Sequence, residues 1–382
     1  MLYPHQEEFL RSNPDKALLA YEAGCGKSYV AAHWLEKRDA TNALVVCPKQ
    51  IQSDWKKRTS ATVLTKEQFA KLDTRLFNAP SALVVDEADE FASPLFWKGR
   101  SQRTKALYEF IRANPTMPVL LLTATPVRSN PANLHTLLCF IGVYYPWAKW
   151  RDHFYSLEMR PYLPRPAWMP RRDWRTRIQP FIEKHCKIAL LHDIVTDTPE
   201  EQHEVLPVPT PAVRSLDPEP MRRFTEEHRA EQVCKAKEIQ RIGRGYRKVF
   251  VVAHYREQIE ALEKELGKER QVYVLHGGVA DQGAVIRAAQ EDPECYFIVQ
   301  ASIGAGFDAD SFSCMIFASM SYKVRDYVQM KARIKRIHNL HPVHYYYFIG
   351  GERDQAIYDT VQQGLDFVPS EWLARPTARQ AA

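Results

Sequence analysis

The chain has 382 residues, enough for two separate cores at about 100 to 200 residues per domain. A composition of 45% hydrophobic and 26% charged residues excludes a wholly disordered chain, a collagen-like repeat and a disulfide scaffold. Fifty-two Lys and Arg against 46 Asp and Glu leave a net charge of +6, an excess that permits an anionic partner without demanding one.

In the first third, short apolar runs alternate with helix-like stretches, the pattern of parallel-sheet α/β architecture. Candidate strands are Ala17 to Tyr21, Ala43 to Cys47, Ala82 to Val85 and Val119 to Thr123, with helices near Ser28 to Lys37 and Arg103 to Ala113. Residues 144–181 differ, holding ten aromatics and eight Lys or Arg against three acids. Five prolines in residues 206–220 predict an extended connector. The alternation then returns, with strands near Lys248 to Ala253, Gln271 to Leu275, Tyr296 to Gln300, Met315 to Ala318 and His344 to Ile349, and helices over Glu257 to Leu266 and Asp281 to Gln290. The expected division is a first α/β domain over 1–143, an insertion over 144–205, a linker over 206–220, a second α/β domain over 221–368 and a tail over 369–382.

No apolar run approaches the roughly 18 to 20 residues of a membrane span, and the opening MLYPHQEEFL is too short and too acidic for a signal peptide. The seven cysteines lie far apart without a CxxC pair, so neither a disulfide framework nor a cysteine zinc site is indicated. A soluble, cytoplasmic, monomeric protein without a membrane partner is expected.

Glu22-Ala23-Gly24-Cys25-Gly26-Lys27-Ser28 stands between a predicted strand and a predicted helix, the setting in which a glycine loop turns backbone N–H groups toward phosphate. Lys27 suits the β and γ phosphates of a nucleotide and Ser28 suits Mg²⁺. Tyr21 replaces the first glycine of GxxxxGK[ST], and a turn that merely carries these residues is the plain alternative. Leu83-Val84-Val85-Asp86-Glu87-Ala88-Asp89 is an apolar run ending in carboxylates. At such a strand tip Asp86 would hold Mg²⁺ and Glu87 would orient the attacking water. Leu120 to Pro126 reads LLLTATP, placing Thr123 and Thr125 where they can bond to the neighbouring carboxylates.

Gln329, Arg333 and Arg336 share one side of a predicted helix, and two guanidinium groups suit the developing charge of a transferred phosphoryl group. A solvated basic helix face is the competing account. Gly304-Ala305-Gly306-Phe307-Asp308-Ala309 matches a dinucleotide fingerprint, but the next strand begins too soon for the helix that fingerprint requires. A glycine turn at a strand tip is the better account, with Gly306 and Asp308 toward the nucleotide. His338, His341 and His344 are spaced three apart, yet Pro342 would scatter them. Cys25 is a small loop filler.

The ordered set resembles superfamily 2 helicase and translocase motors, and its details resemble the Swi/Snf-type ATPases most. In that family a glutamine motif reads adenine, and Leu2-Tyr3-Pro4-His5-Gln6 is similar to it, which implies Gln6. Val45 to Pro48 with Trp55-Lys56, Leu121 to Asn130, Lys248 to Leu266, Gly304 to Asp308, Gln329 to Arg336 and Glu352 to Tyr358 resemble the later motifs. Asp89 gives DEAD where the family more often has DEAH. Ala332 and Lys335 stand where RNA-type members carry glycines. The chain resembles a bare motor of a size expected in a phage or bacterium.

The resemblance implies two RecA-like domains in tandem, ATP and Mg²⁺ as cofactors, and DNA as the track, with RNA less favoured. It implies Lys27, Asp86, Glu87, Arg333 and Arg336 as catalytic residues and Thr123, Thr125 and Gln329 as coupling residues. Lys49, Gln50, Trp55, Arg128, His276 and Ser302 are implied as nucleic-acid contacts. It implies an ATP-dependent DNA translocase; a strand-separating helicase and a non-catalytic nucleic-acid clamp are the alternatives. Aromatics among the arginines of 144–181 would either stack on bases or form a small core over the first domain.

Overall fold

The computed structural model describes residues 2–40, 42–72, 80–95, 101–128, 130–159, 165–190, 194, 199–233, 235–303, 307–335 and 341–373. The chain forms two units, Met1–Thr196 and Asp197–Ala382.

Unit 1 is built on six strands: β1 (Lys16–Tyr21), β2 (Ala43–Cys47), β3 (Thr62–Thr65), β4 (Ala82–Asp86), β5 (Val119–Leu122) and β8 (Cys186–Ala189). They lie in the order β3-β2-β4-β5-β1-β8, every neighbouring pair parallel. All residues of β2, β4 and β5 are buried, because helices on both sides of a parallel sheet remove the need for an outward polar face. One core cluster joins Leu18, Leu44, Leu83 and Val119 of this sheet to Leu107 and Phe110 of the helix Gln102–Ala113.

The aromatic insertion is a helix (Trp147–Phe154), a hairpin of β6 (Tyr155–Glu158) with β7 (Ala167–Pro170), and a second helix (Trp174–His185). Trp150, Phe154, Tyr155 and Trp174 join the core cluster of the first sheet, and Tyr145, Trp147 and Phe181 pack against it. The core account of this stretch therefore holds for most of its rings. Trp168 departs from it: it is 37% exposed, with the Arg151 guanidinium 4.3 Å above its ring.

Unit 2 orders its six strands β11-β12-β10-β13-β14-β9, again all parallel. They are β9 (Glu201–Pro207), β10 (Lys248–Ala253), β11 (Gln271–Leu275), β12 (Cys295–Gln300), β13 (Cys314–Phe317) and β14 (Val343–Ile349). Residues alternate between two cores as the pleat requires: Phe250 and Val252 enter one cluster, Val249, Val251 and Ala253 the other. The short helix Pro369–Leu373 closes the described chain.

The expected fold class is present in its two RecA-like parallel-sheet domains in tandem, but the aromatic insertion lies within the first of them rather than after it. The boundaries expected inside it need correction. Cys186–Ala189 pairs with β1 and Glu201–Pro207 pairs with β14, so the expected insertion contains an edge strand of each sheet. The prolines of the connector begin within β9, at an edge where a missing N–H is tolerated.

Candidate nucleotide site

The carboxyl edge of the first sheet carries the candidate chemistry, as is general for open α/β sheets. The loop after β1 runs into an eleven-residue helix, Lys27–Lys37. Gly26 takes φ +74° and ψ 29° just before that helix, and a Cβ there would lie 2.4 Å from Gln6 Nε2. Only glycine meets both conditions.

Gln6 is 2% exposed. Its Nε2 donates to the Cys25 carbonyl at 3.2 Å, and its Oε1 accepts from the Tyr3 N–H at 3.0 Å. The residue expected to read adenine is thus bonded to the loop itself, and His5 Nε2 lies 3.3 Å from the same Cys25 carbonyl. Cys25 is buried at 1% exposure, consistent with a loop filler. Lys27 Nζ donates to the carbonyls of Tyr21 (2.8 Å) and Glu22 (3.2 Å), which places the ammonium over the loop that Gly24 and Gly26 shape.

At the tip of β4, Asp86 is 3% exposed. Its Oδ2 accepts from Ser28 Oγ at 3.2 Å and from the Trp55 indole N–H at 2.9 Å, while Oδ1 accepts from the Glu87 N–H at 3.0 Å. The hydroxyl and the carboxylate proposed for Mg²⁺ are therefore neighbours although 58 positions apart in sequence. A hydroxyl, a carboxylate, an ammonium and the N-terminus of a helix form a donor set that fits a metal-bound triphosphate. Glu87 follows with φ 52° and ψ 51°, a left-handed backbone that costs a non-glycine residue about 1 to 2 kcal/mol. Strain of this kind gathers at functional positions.

β5 lies between β4 and β1 and delivers the threonines. Thr123 is fully buried, and its Oγ1 accepts the Thr125 N–H at 3.0 Å. Thr125 Oγ1 donates to Asp89 Oδ2 at 3.3 Å. The expected threonine–carboxylate contact is made, by Thr125 and Asp89; Thr123 shapes the turn instead.

One expected nucleic-acid contact is corrected, and a second has a protein partner. Trp55 is 1% exposed, with its N–H on Asp86, so it supports the carboxylate from inside. Arg128 is bound to the buried Asp89 through Nε at 2.8 Å and a second nitrogen at 2.6 Å, because a carboxylate that deep requires a cationic partner. Lys49 is exposed and Gln50 partly so, both in the short helix after β2. In unit 2, His276 follows β11 partly exposed and Ser302 follows β12 exposed. All four stand beyond carboxyl ends of strands.

Gln329 and Arg333 lie on the helix Val324–Ile334. Arg333 is 6% exposed, with Nη1 on the Phe307 carbonyl at 2.6 Å and Nε on the Gln329 carbonyl at 3.1 Å. The Ala309 N–H in turn donates to the Arg333 carbonyl at 3.0 Å. Arg333 therefore fastens the segment from Phe307 to Ala309 to the helix. Asp308 is exposed, and its carbonyl accepts from Gln290 Nε2 at 2.5 Å. Gly306, Arg336 and His338 lie outside the described residues. His344 Nδ1 meets Tyr246 Oη at 2.5 Å, and no cluster of three His, Cys, Asp or Glu suited to a metal occurs among the described residues.

Sequence reasoning missed two buried ion-pair systems. Lys66, 3% exposed, pairs with Glu90 close to the strand tip of β4. In unit 2, Asp354 accepts from His228 Nε2 (2.9 Å), Gln232 Nε2 (3.1 Å), Lys235 Nζ (3.3 Å) and the Gly350 N–H (2.8 Å). These partners lie up to 126 positions away, and nothing local in the sequence signals them.

No curated protein sequence matches the chain significantly. Among solved structures, the Sulfolobus solfataricus SWI2/SNF2 ATPase core in complex with dsDNA is similar over 100% of this chain and 96% of that chain, at 14% identity and a TM-score of 0.43. Residues 234–338 match the family described as helicase conserved C-terminal domain.

Proposed function

We propose that this protein is an ATP-dependent DNA translocase of the Swi/Snf-like kind. The observation that carries the reading is the Ser28–Asp86 contact at 3.2 Å, which joins a glycine loop to an acidic strand tip beneath the Lys27 ammonium. The helicase C-terminal match over residues 234–338 supports the same class.

In this reading the loop from Gly24 to Ser28 holds the triphosphate, and Ser28 and Asp86 hold Mg²⁺. That ion would neutralise charge on the phosphate oxygens. Glu87 orients and deprotonates the attacking water. Thr125 and Asp89 pass the state of the strand tip to Arg128. Arg336 supplies the cation for the developing charge, and Lys49, Gln50, His276 and Ser302 touch the nucleic-acid backbone.

Phosphate release measured with duplex DNA, single-stranded DNA and RNA tests this function. Stimulation strongest with duplex DNA is the expected result. Stimulation by single strands alone would move the reading to a strand-separating helicase, and no release under any condition would leave a non-catalytic clamp.

The insertion offers a separate check. Trp150→Ala removes a ring that is 2% exposed and should lower stability by about 3 to 5 kcal/mol. Trp168→Ala should leave the melting temperature nearly unchanged and weaken single-stranded DNA binding by about 1 to 3 kcal/mol, the worth of one base–aromatic stack. Unchanged affinity would remove the insertion from the track.

A further inference from the structure

The turn that leaves β11 is built around His276. Its carbonyl accepts the Val279 N–H at 3.0 Å and the Gln282 Nε2 amide at 3.3 Å. The ring is fixed as well, because Nδ1 accepts the Gly278 N–H at 3.0 Å. A ring nitrogen that accepts a backbone N–H carries no proton of its own, so the ring proton sits on Nε2, which is left as a donor.

Arg256 reaches the same side chain from the start of the helix Arg256–Leu266, with Nη2 3.4 Å from His276 Nδ1. Arg256 is exposed, and among the described residues it meets no carboxylate. The nearest acids in the chain are engaged elsewhere. Glu257 faces Arg229 at 3.4 Å, and Asp281 caps the helix Gln282–Glu291 by accepting the Ala284 N–H at 2.8 Å. A cation and a second donor therefore stand side by side without an anion.

Gly278 makes this closeness possible. A Cβ there would lie 2.5 Å from Arg256 Nη2 and 3.0 Å from His276 Cε1. Gly278 is not one of the glycines with positive φ, so it provides room rather than backbone freedom. On the other side of the turn, the Gly277 N–H lies 3.4 Å from Gln300 Oε1 at the end of β12, which ties the turn to the strand that leads to Ser302.

We infer that Arg256 and His276 form a two-donor seat for one backbone phosphate of a nucleic acid, with Gly278 as the gap in which the two side chains meet. The seat lies wholly within unit 2. It rests on the nucleic-acid reading above, to which it adds Arg256. A phosphodiester offers anionic oxygens and no proton, which matches a guanidinium beside an N–H donor. Free phosphate shares those oxygens.

The test measures binding of fluorescent duplex DNA by anisotropy across a salt series. R256A is expected to weaken binding about tenfold at low salt and to reduce the slope of log K against log salt by about one. H276A should weaken binding with little change of slope, because no fixed charge is lost. G278A keeps both side chains but drives them apart, so it should lose affinity while keeping more of the slope. The R256A/H276A double variant should lose less than the sum of the single losses. K268A removes an exposed cation of the same unit, one held by Glu265, and should change neither quantity. Additive losses overturn the shared seat, as does an R256A that behaves like K268A. The ring nitrogens of His276, followed by ¹⁵N NMR during titration with inorganic phosphate, separate the two sources. Shifts with phosphate beside DNA binding that R256A leaves intact overturn the nucleic-acid assignment. If wild type binds no DNA, the nucleic-acid reading fails by itself, and the same titration decides the seat: shifts lost in R256A uphold it for free phosphate, and unmoved nitrogens overturn it.

Discussion

Glu87→Gln is expected to lower nucleic-acid-stimulated phosphate release by about 10² to 10⁴-fold, the range for loss of a general base. Glu87 follows the Asp86 carboxylate, to which it donates its backbone N–H at 3.0 Å. The glutamine keeps that donor and closely matches the size of the side chain, while the charge that would take a proton from water is gone. Binding of ATP should persist, so a nucleotide-binding assay beside the rate assay separates chemistry from folding. Lys27→Ala is expected to cost about 10² to 10³-fold or more, because it deletes a preorganised cation from the phosphate cradle. It also releases the Tyr21 and Glu22 carbonyls that Lys27 Nζ holds, so ATP affinity should fall as well. Full activity in both variants would remove the site from the mechanism.

Asp354→Ala is expected to have the largest effect on folding. Lys235 is 1% exposed, and Asp354 is the carboxylate that meets its ammonium, alongside the Gln232 amide oxygen and the Ala318 carbonyl. Deleting it leaves a buried cation uncompensated and removes an acceptor from His228, Gln232 and the Gly350 N–H. Breaking a buried pair from one side costs about 3 to 5 kcal/mol, roughly 10 °C in the melting temperature of a unit of this size. The network also predicts a pH dependence. Burial pushes the Asp354 carboxyl up, but the His228 bond, the Lys235 charge and the Gly350 N–H outweigh it and hold it well below the usual carboxylate range. A carboxylate depressed in the folded state contributes its stability in full above the ordinary carboxylate range and loses it as pH falls through its folded value. Thermal unfolding of wild type and D354A across acid pH should show two curves that converge downward. A constant gap would assign the loss to packing alone.

The strands that hold the site were legible because each is short, apolar and bounded. Ala43 to Cys47, Lys248 to Ala253 and Gln271 to Leu275 match their observed limits to the residue. The strands that escaped notice are edges. In β9, Glu201–Pro207, side chains are mostly exposed, so its sequence carries little of the apolar signal that marks a central strand. In β8, Cys-Lys-Ile-Ala is too short to stand out beside an aromatic helix. The loop and strand tip were legible as motifs, since the residue types themselves carry the chemistry. The partners of Trp55, Arg128 and Arg333 were not. Each is polar or amphipathic and suits a surface in sequence terms, yet each has a buried partner set by long-range packing: Asp86, Asp89 and the Phe307 carbonyl. A single sequence shows which groups need partners, and the fold decides which partners they receive.

The amide of Gln6 lies so close to Gly26 that the loop admits no side chain there, and the same amide is tied to the Cys25 carbonyl. If that glutamine also selects the base, nucleotide preference and anion affinity in this protein are not separable traits. A substitution made to accept guanine would loosen the cradle at the same stroke. Redesigning the choice of fuel would then require a compensating change in the loop.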